Sequence, residues 1–196
     1  MIDDRIFRLA LIAGWVTLMP VLVYYRIRSQ ATGERLDRRQ EGWFILLTLR
    51  PAGLAHMAGV ITYMASPARM AWSALSLPGW ARWTGVALGV CAGSLLVWTL
   101  VNLGRNLTDT VVTRRAHTLV TTGPYGWIRH PFYVATALSV TANGLVAANW
   151  FLLAVGWLTV ALMVIRTGKE EELLLARFGG AYRSYRERTG RFLPRL

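Results

Sequence analysis

Five apolar runs dominate this chain and leave few folds open to it. They cover residues 6–25, 42–64, 83–101, 132–148 and 150–165. A bilayer core about 30 Å thick takes about 20 helical residues. The first three runs meet that length. The last two are shorter and are joined only by the 147–150 region, which predicts a tight helical hairpin that falls short of a full crossing. Of 196 residues, 54% are hydrophobic and only 16% charged, a composition that a soluble domain of this size does not need. The expected fold is all-α: an integral membrane bundle of about five transmembrane helices, forming one domain over residues 1–196. The first run is too long for a secretory leader and lacks a small-residue cleavage pattern, so it reads as a span.

The net charge of +12 would suggest nucleic acid in a soluble protein. Here the basic residues sort by loop, and 17 of the 22 fall on one side. Arg26, Arg28, Arg35, Arg38 and Arg39 follow the first run. Arg105, Arg114, Arg115 and Arg129 follow the third, and eight more lie from Arg166 onward. Arg5, Arg8, Arg69 and Arg82 mark the other side. By the positive-inside rule the N-terminus is outside and the C-terminus cytosolic. The charge then reflects topology and anionic headgroups of a cell membrane, expected to be prokaryotic, and nucleic acid is excluded as the partner. Cys91 is the single cysteine, so there is neither an internal disulfide nor a cysteine cluster for metal, and no metal site is expected.

Two polar stretches, 102–130 and 167–196, flank the hairpin on the same predicted face. The first runs into TTGPYGWIRHPFYV. Gly123-Pro124 predicts a turn. His130-Pro131 predicts a helix start, where proline's missing N–H costs nothing. Such a start offers backbone donors to an anion, and Arg129 adds a guanidinium fork beside it. Tyr125, Trp127, Phe132 and Tyr133 offer flat walls. An interfacial aromatic belt with a snorkelling arginine accounts for the same residues. In the second stretch Glu170, Glu171 and Glu172 follow the last apolar run. Leu173 to Leu175 and Phe178 predict an amphipathic helix that Gly179-Gly180 ends. A solvated interfacial helix is the plainer account of it.

These stretches resemble the isoprenylcysteine carboxyl methyltransferase family and related phospholipid methyltransferases. The first element is His117, Leu119, Val120, Thr121, Gly123, Pro124, Tyr125, Arg129, His130, Pro131 and Tyr133. The second is Glu170, Glu171, Leu174, Phe178, Gly179, Tyr182, Tyr185 and Pro194. The resemblance covers about residues 100–196. Glu172 is a third acid where the family pattern has two, and Val134, Ala135 and Thr136 stand where the family often has glycine.

The resemblance implies a membrane methyltransferase that uses S-adenosylmethionine, with a cofactor pocket on the cytosolic side enclosed by both stretches. It implies catalytic parts for Arg129 and Glu171. The cofactor's carboxylate would meet Arg129 and the His130-Pro131 start. Its ribose would meet a glutamate of the Glu170 and Glu171 pair. Its adenine would meet the backbone of Leu119, Val120 and Thr121, with His117 nearby, and Gly123, Pro124, Tyr125 and Tyr133 would complete the pocket. The partners are the bilayer and a lipophilic acceptor: a prenylated cysteine's carboxylate, a lipid amine or similar. Arg50, nine residues into the second run and followed by Pro51, is a candidate contact for the acceptor's anionic group; snorkelling to the interface explains it as well. His56 reads first as a packed histidine. Gly85, Gly89 and Gly93 read as close helix packing. Two other readings are an NADPH-dependent sterol-type reductase, whose relatives are much longer, and a non-catalytic lipid-binding protein.

Overall fold

The structure is a computed structural model, and it describes residues 2–30, 43–104 and 118–195. Its helices are α1 (Ile2–Gln30), α2 (Trp43–Ala65), α3 (Gly79–Leu103), α4 (Pro131–Ala147), α5 (Trp150–Phe178) and α6 (Gly180–Arg188). Three are long and apolar enough to cross a membrane: α1 over Asp4–Arg28, α3 and α5. The expected all-helical membrane bundle is therefore present. α4 is the shorter apolar helix of 17 residues. α2 has 23 residues, with Pro51 inside a continuous helix.

The fifth run differs from expectation. α5 does not stop near residue 165 but continues for 29 residues, about 43 Å at 1.5 Å per residue. That exceeds the hydrocarbon thickness, so its last turns project beyond it. Hydropathy falls at Arg166, but residues 169–178 are mostly Glu, Leu, Ala, Lys and Arg, which favour helix. The helix ends where the sequence predicts, at Gly179, whose φ of +53° suits glycine.

Small residues let the helices approach. A Cβ on Gly85 of α3 would lie 2.8 Å from Leu145 Cβ of α4, and one on Gly93 would lie 3.1 Å from Leu18 of α1. The glycines of α3 thus do what their spacing predicts, seating α4 on one side and α1 on the other.

Polar anchors pin the end of the bundle away from the long polar stretches. Arg82 is buried. It donates to Val146 O at 3.1 Å and to Asp4 at 2.6 Å, and lies over the Phe7 ring, so it joins α1, α3 and α4. Arg8 donates to Met64 O and Ala65 O, satisfying the last carbonyls of α2. Asn149 caps α5 through Leu152 N while its amide reaches Met70 O and Ser73 Oγ. Trp72, Trp150 and Phe151 cluster edge to face beside it, as in an interfacial belt. The opposite end gathers the end of α3, the start of α4 and the end of α5.

Candidate functional site

The site begins with a turn. Residues Gly123–Gly126 form one turn of 3-10 helix. Gly123 sits at φ +59°, and a side chain there would strike Asn102. Asn102 ties the turn to α3, donating to Trp98 O at 2.9 Å and receiving Thr122 Oγ1 at 3.3 Å. Trp98 and Trp127 meet edge to face, both largely exposed. Just before the turn, the backbones of Leu119, Val120 and Thr121 make no backbone hydrogen bond among the described residues.

α4 starts at Pro131, as its sequence predicts. The amides before it are already taken. A C-terminal strap, residues 189–195, runs alongside 127–130. Arg129 N donates to Gly190 O at 2.9 Å, His130 N to Arg191 O at 3.1 Å, and Gly190 N to Trp127 O at 3.1 Å. Strap carbonyls therefore occupy donors that the sequence reading offered to an anion.

The strap meets α4 and α5 at Glu171. This carboxylate is 3% exposed and accepts from three side chains. Its Oε1 takes Arg129 Nε at 2.9 Å, His130 Nε2 at 3.2 Å and Arg191 Nε at 3.3 Å. Its Oε2 takes an Arg191 guanidinium nitrogen at 2.8 Å. Arg129 also donates to the carbonyls of Arg186 and Thr189. The hydrogen bond to Glu171 holds Arg191 still more firmly cationic. With an ionised carboxylate facing it, His130 Nε2 is the donor.

The neighbouring acid forms a second node. Tyr133 donates to Glu170 at 2.6 Å, and Arg166 donates to the same phenol oxygen at 3.2 and 2.9 Å. That is the one hydrogen bond Glu170 makes among the described residues. Phe192 of the strap lies against His130 and Tyr133, with centroids at 5.7 and 6.4 Å. Of the three adjacent acids, Glu170 and Glu171 thus turn inward. Glu172 points to solvent and pairs with Lys169 at 3.2 Å, where an ion pair contributes little.

α6 seals the cluster from below. Tyr185 donates to Tyr125 O at 2.7 Å, and Thr189 Oγ1 to Tyr185 O at 2.7 Å. Tyr182 is 1% exposed, and its hydroxyl has no partner among the described residues. Burial pushes the Tyr125 and Tyr182 phenols up, and that of Tyr185 up to about 12. A recess of about 570 Å³ opens on the surface here, lined by Arg129, Arg183, Arg186, Arg191 and Arg195 with Glu187 as its acid.

The structure therefore brings together Tyr125, Arg129, His130, Tyr133, Glu170 and Glu171, with Gly123 and Pro124 in the adjoining turn. His117 lies outside the described residues. Arg50 stands half-buried in α2, and His56 is buried further along it. Arg166, Arg191 and Thr189 join the site without having been singled out. No local sequence signal singles out Arg191, which reaches Glu171 only through the fold.

The profile of the Isoprenylcysteine carboxyl methyltransferase (ICMT) family matches residues 85–176, which contain the turn, the start of α4 and both inward acids. This segment is similar to that family. The chain is 32% identical over 123 residues to the Nickel-cobalt-cadmium resistance protein NccN of Alcaligenes xylosoxydans xylosoxydans, covering 61% of this chain and 58% of that one. It is 32% identical over 126 residues to Protein-S-isoprenylcysteine O-methyltransferase of Mus musculus, covering 63% and 44%. It thus spans about half the length of the curated relatives it matches. Its fold is similar to that of the eukaryotic intramembrane Ras methyltransferase ICMT, with a TM-score of 0.52 at 18% identity, over 94% of this chain and 67% of that one.

Proposed function

We propose that this chain is an integral membrane methyltransferase that uses S-adenosylmethionine to methylate a lipophilic acceptor, working at the cytosolic face. The observation that carries this reading is the buried convergence of Arg129, His130 and Arg191 on Glu171, on a segment of an ICMT-family fold. The end that bears this cluster also bears the arginines of α6 and the strap, so it faces the cytosol.

The residues present fit such a methyl donor. The backbone at 119–121, which makes no backbone hydrogen bond among the described residues, suits the edge of an adenine. Glu170, with one described hydrogen bond, suits a hydroxyl or a nearby positive charge. The Tyr133 and Phe192 rings suit a sulfonium. When bound, the donor supplies a methyl whose C–S bond breaks with its electron pair going to sulfur as the acceptor's lone pair forms the new bond. The chain's own part is alignment and exclusion of water. Glu171 holds three cationic or proton-donating side chains in place, and the positive charge they bring makes it a poor base. It and Arg129 act as positioning residues that fix the strap over the start of α4. An acceptor that arrives already anionic, such as a carboxylate, suits a site arranged this way, because it asks for no base.

The test uses the full chain in nanodiscs. S-adenosylmethionine binding is measured by calorimetry, and label transfer from the methyl-labelled donor into a lipid extract and a prenylcysteine is followed by mass spectrometry. Saturable binding with a labelled lipophilic product is expected. Absence of both binding and product overturns the reading.

A further inference from the structure

A cavity of about 970 Å³ opens between α1, α3 and α4, the size of an ordinary ligand site. Its α1 and α3 walls are mostly apolar, with Leu18, Leu22, Val86 and Val90 among them, and Thr17 and Ser94 are the hydroxyl-bearing residues there. Its α4 wall is not. Thr136, Ser139 and Asn143 line it at positions i, i+3 and i+7, which share one face of a helix. Thr136 is satisfied within its own helix by Phe132 O at 2.9 Å. The Ser139 hydroxyl donates to no group among the described residues.

Asn143 can be oriented. The Trp15 indole N–H, which only donates, lies 3.4 Å from Asn143 Oδ1. That places the amide nitrogen toward His56, whose Nε2 lies 3.3 Å away and accepts one amide proton. The histidine proton is then on Nδ1, the edge that packs against Gly156 of α5. Asn143's second amide proton has no acceptor among the described residues. A donor left open in a cavity at membrane depth is costly. Serine and asparagine at that depth commonly bond across helices, and Ser139 makes no such bond among the described residues.

We propose that this cavity binds a lipid with an oxygen function part-way along its apolar chain, a carbonyl, ether or hydroxyl oxygen that accepts the free Asn143 proton and meets the Ser139 hydroxyl. Asn143 is ten residues beyond Tyr133, so this anchor lies about 15 Å along α4 from the ion cluster. The proposal rests on the methyltransferase reading only in taking the bound lipid to be the methyl acceptor; it names an oxygenated chain where a bare hydrocarbon would leave both groups unmet.

Binding is tested without methyl donor. The full chain in nanodiscs is titrated with a long-chain dialkyl ketone and with the n-alkane of the same length. Wild type should hold the ketone roughly ten-fold more tightly. Asn143→Leu and Ser139→Ala should each cut that preference to about two-fold or less while alkane binding stays the same. Ser139→Ala disturbs no hydrogen bond of another described group, so it carries the test if Asn143→Leu unfolds. Equal binding of both probes by wild type, or a preference that survives Ser139→Ala, overturns the proposal. Ketone preference without any methyl transfer would sink the methyltransferase reading and leave this site standing; methyl transfer without ketone preference would do the reverse.

Discussion

Arg129 Nε lies 2.9 Å from Glu171 Oε1, across 42 residues of chain, with side chains 10% and 4% exposed. Breaking one partner of so enclosed a pair strands the other, at a cost of about 3–5 kcal/mol. Glu171→Ala should therefore lower the unfolding midpoint sharply and abolish S-adenosylmethionine binding. Glu171→Gln, which keeps acceptor capacity, should recover part of the stability. Calorimetric titration beside thermal unfolding checks this: wild-type affinity in Glu171→Ala would remove the site from this place.

Arg191 is the strap's side-chain tie to the cluster, and it is partly exposed. Arg191→Ala should leave the spans folded but free the last residues of the strap, seen as faster proteolysis after residue 188. The Michaelis constant for the methyl donor should rise more than turnover falls. Arg191→Lys should restore protease resistance only in part, since an ammonium cannot match two carboxylate oxygens at once.

Tyr185 anchors α6 to the turn through Tyr125 O. Tyr185→Phe loses that hydrogen bond and should cost about 1 kcal/mol. The same phenol sets an alkaline limit. Burial holds its proton in the folded state up to about pH 12, while an unfolded tyrosine loses it near 10. The folded form binds more protons between those values, so this contribution to stability is complete below pH 10 and is lost as pH rises toward 12. Alkaline unfolding followed by phenolate absorbance should be shallower in Tyr185→Phe.

Arg82 offers a control far from the chemistry. Arg82→Met removes the donor to Val146 O and the tie to Asp4, and should destabilise by about 1–3 kcal/mol. Affinity for S-adenosylmethionine in the folded fraction should be unchanged; a loss at matched folding would show the two ends of the bundle to be coupled.

Much of this molecule is legible along the chain, for local reasons. The starts of α4 and α5 and the break at Gly179 follow from Pro131, Asn149 and glycine, whose effects act within a turn. The packing of α3 follows from glycines one helical turn apart. The end of α5 is not legible from hydropathy, because helix propensity continues after the apolar signal stops. Long-range pairing is not legible either. Nothing local says that Arg191 reaches Glu171, 20 residues back, or that strap carbonyls fill the donors before α4. Arg82 read only as a charge marking one membrane side, although it is a buried bolt between helices.

α4 is 17 residues long, which spans about 25 Å, against a hydrocarbon layer of about 30 Å. Lipid beside it must compress or the helix ends must sink, and each ångström of mismatch carries a small elastic cost. Thicker acyl chains in the host bilayer would pull on the one helix whose start carries His130 and Tyr133, making turnover sensitive to lipid chain length in reconstituted vesicles.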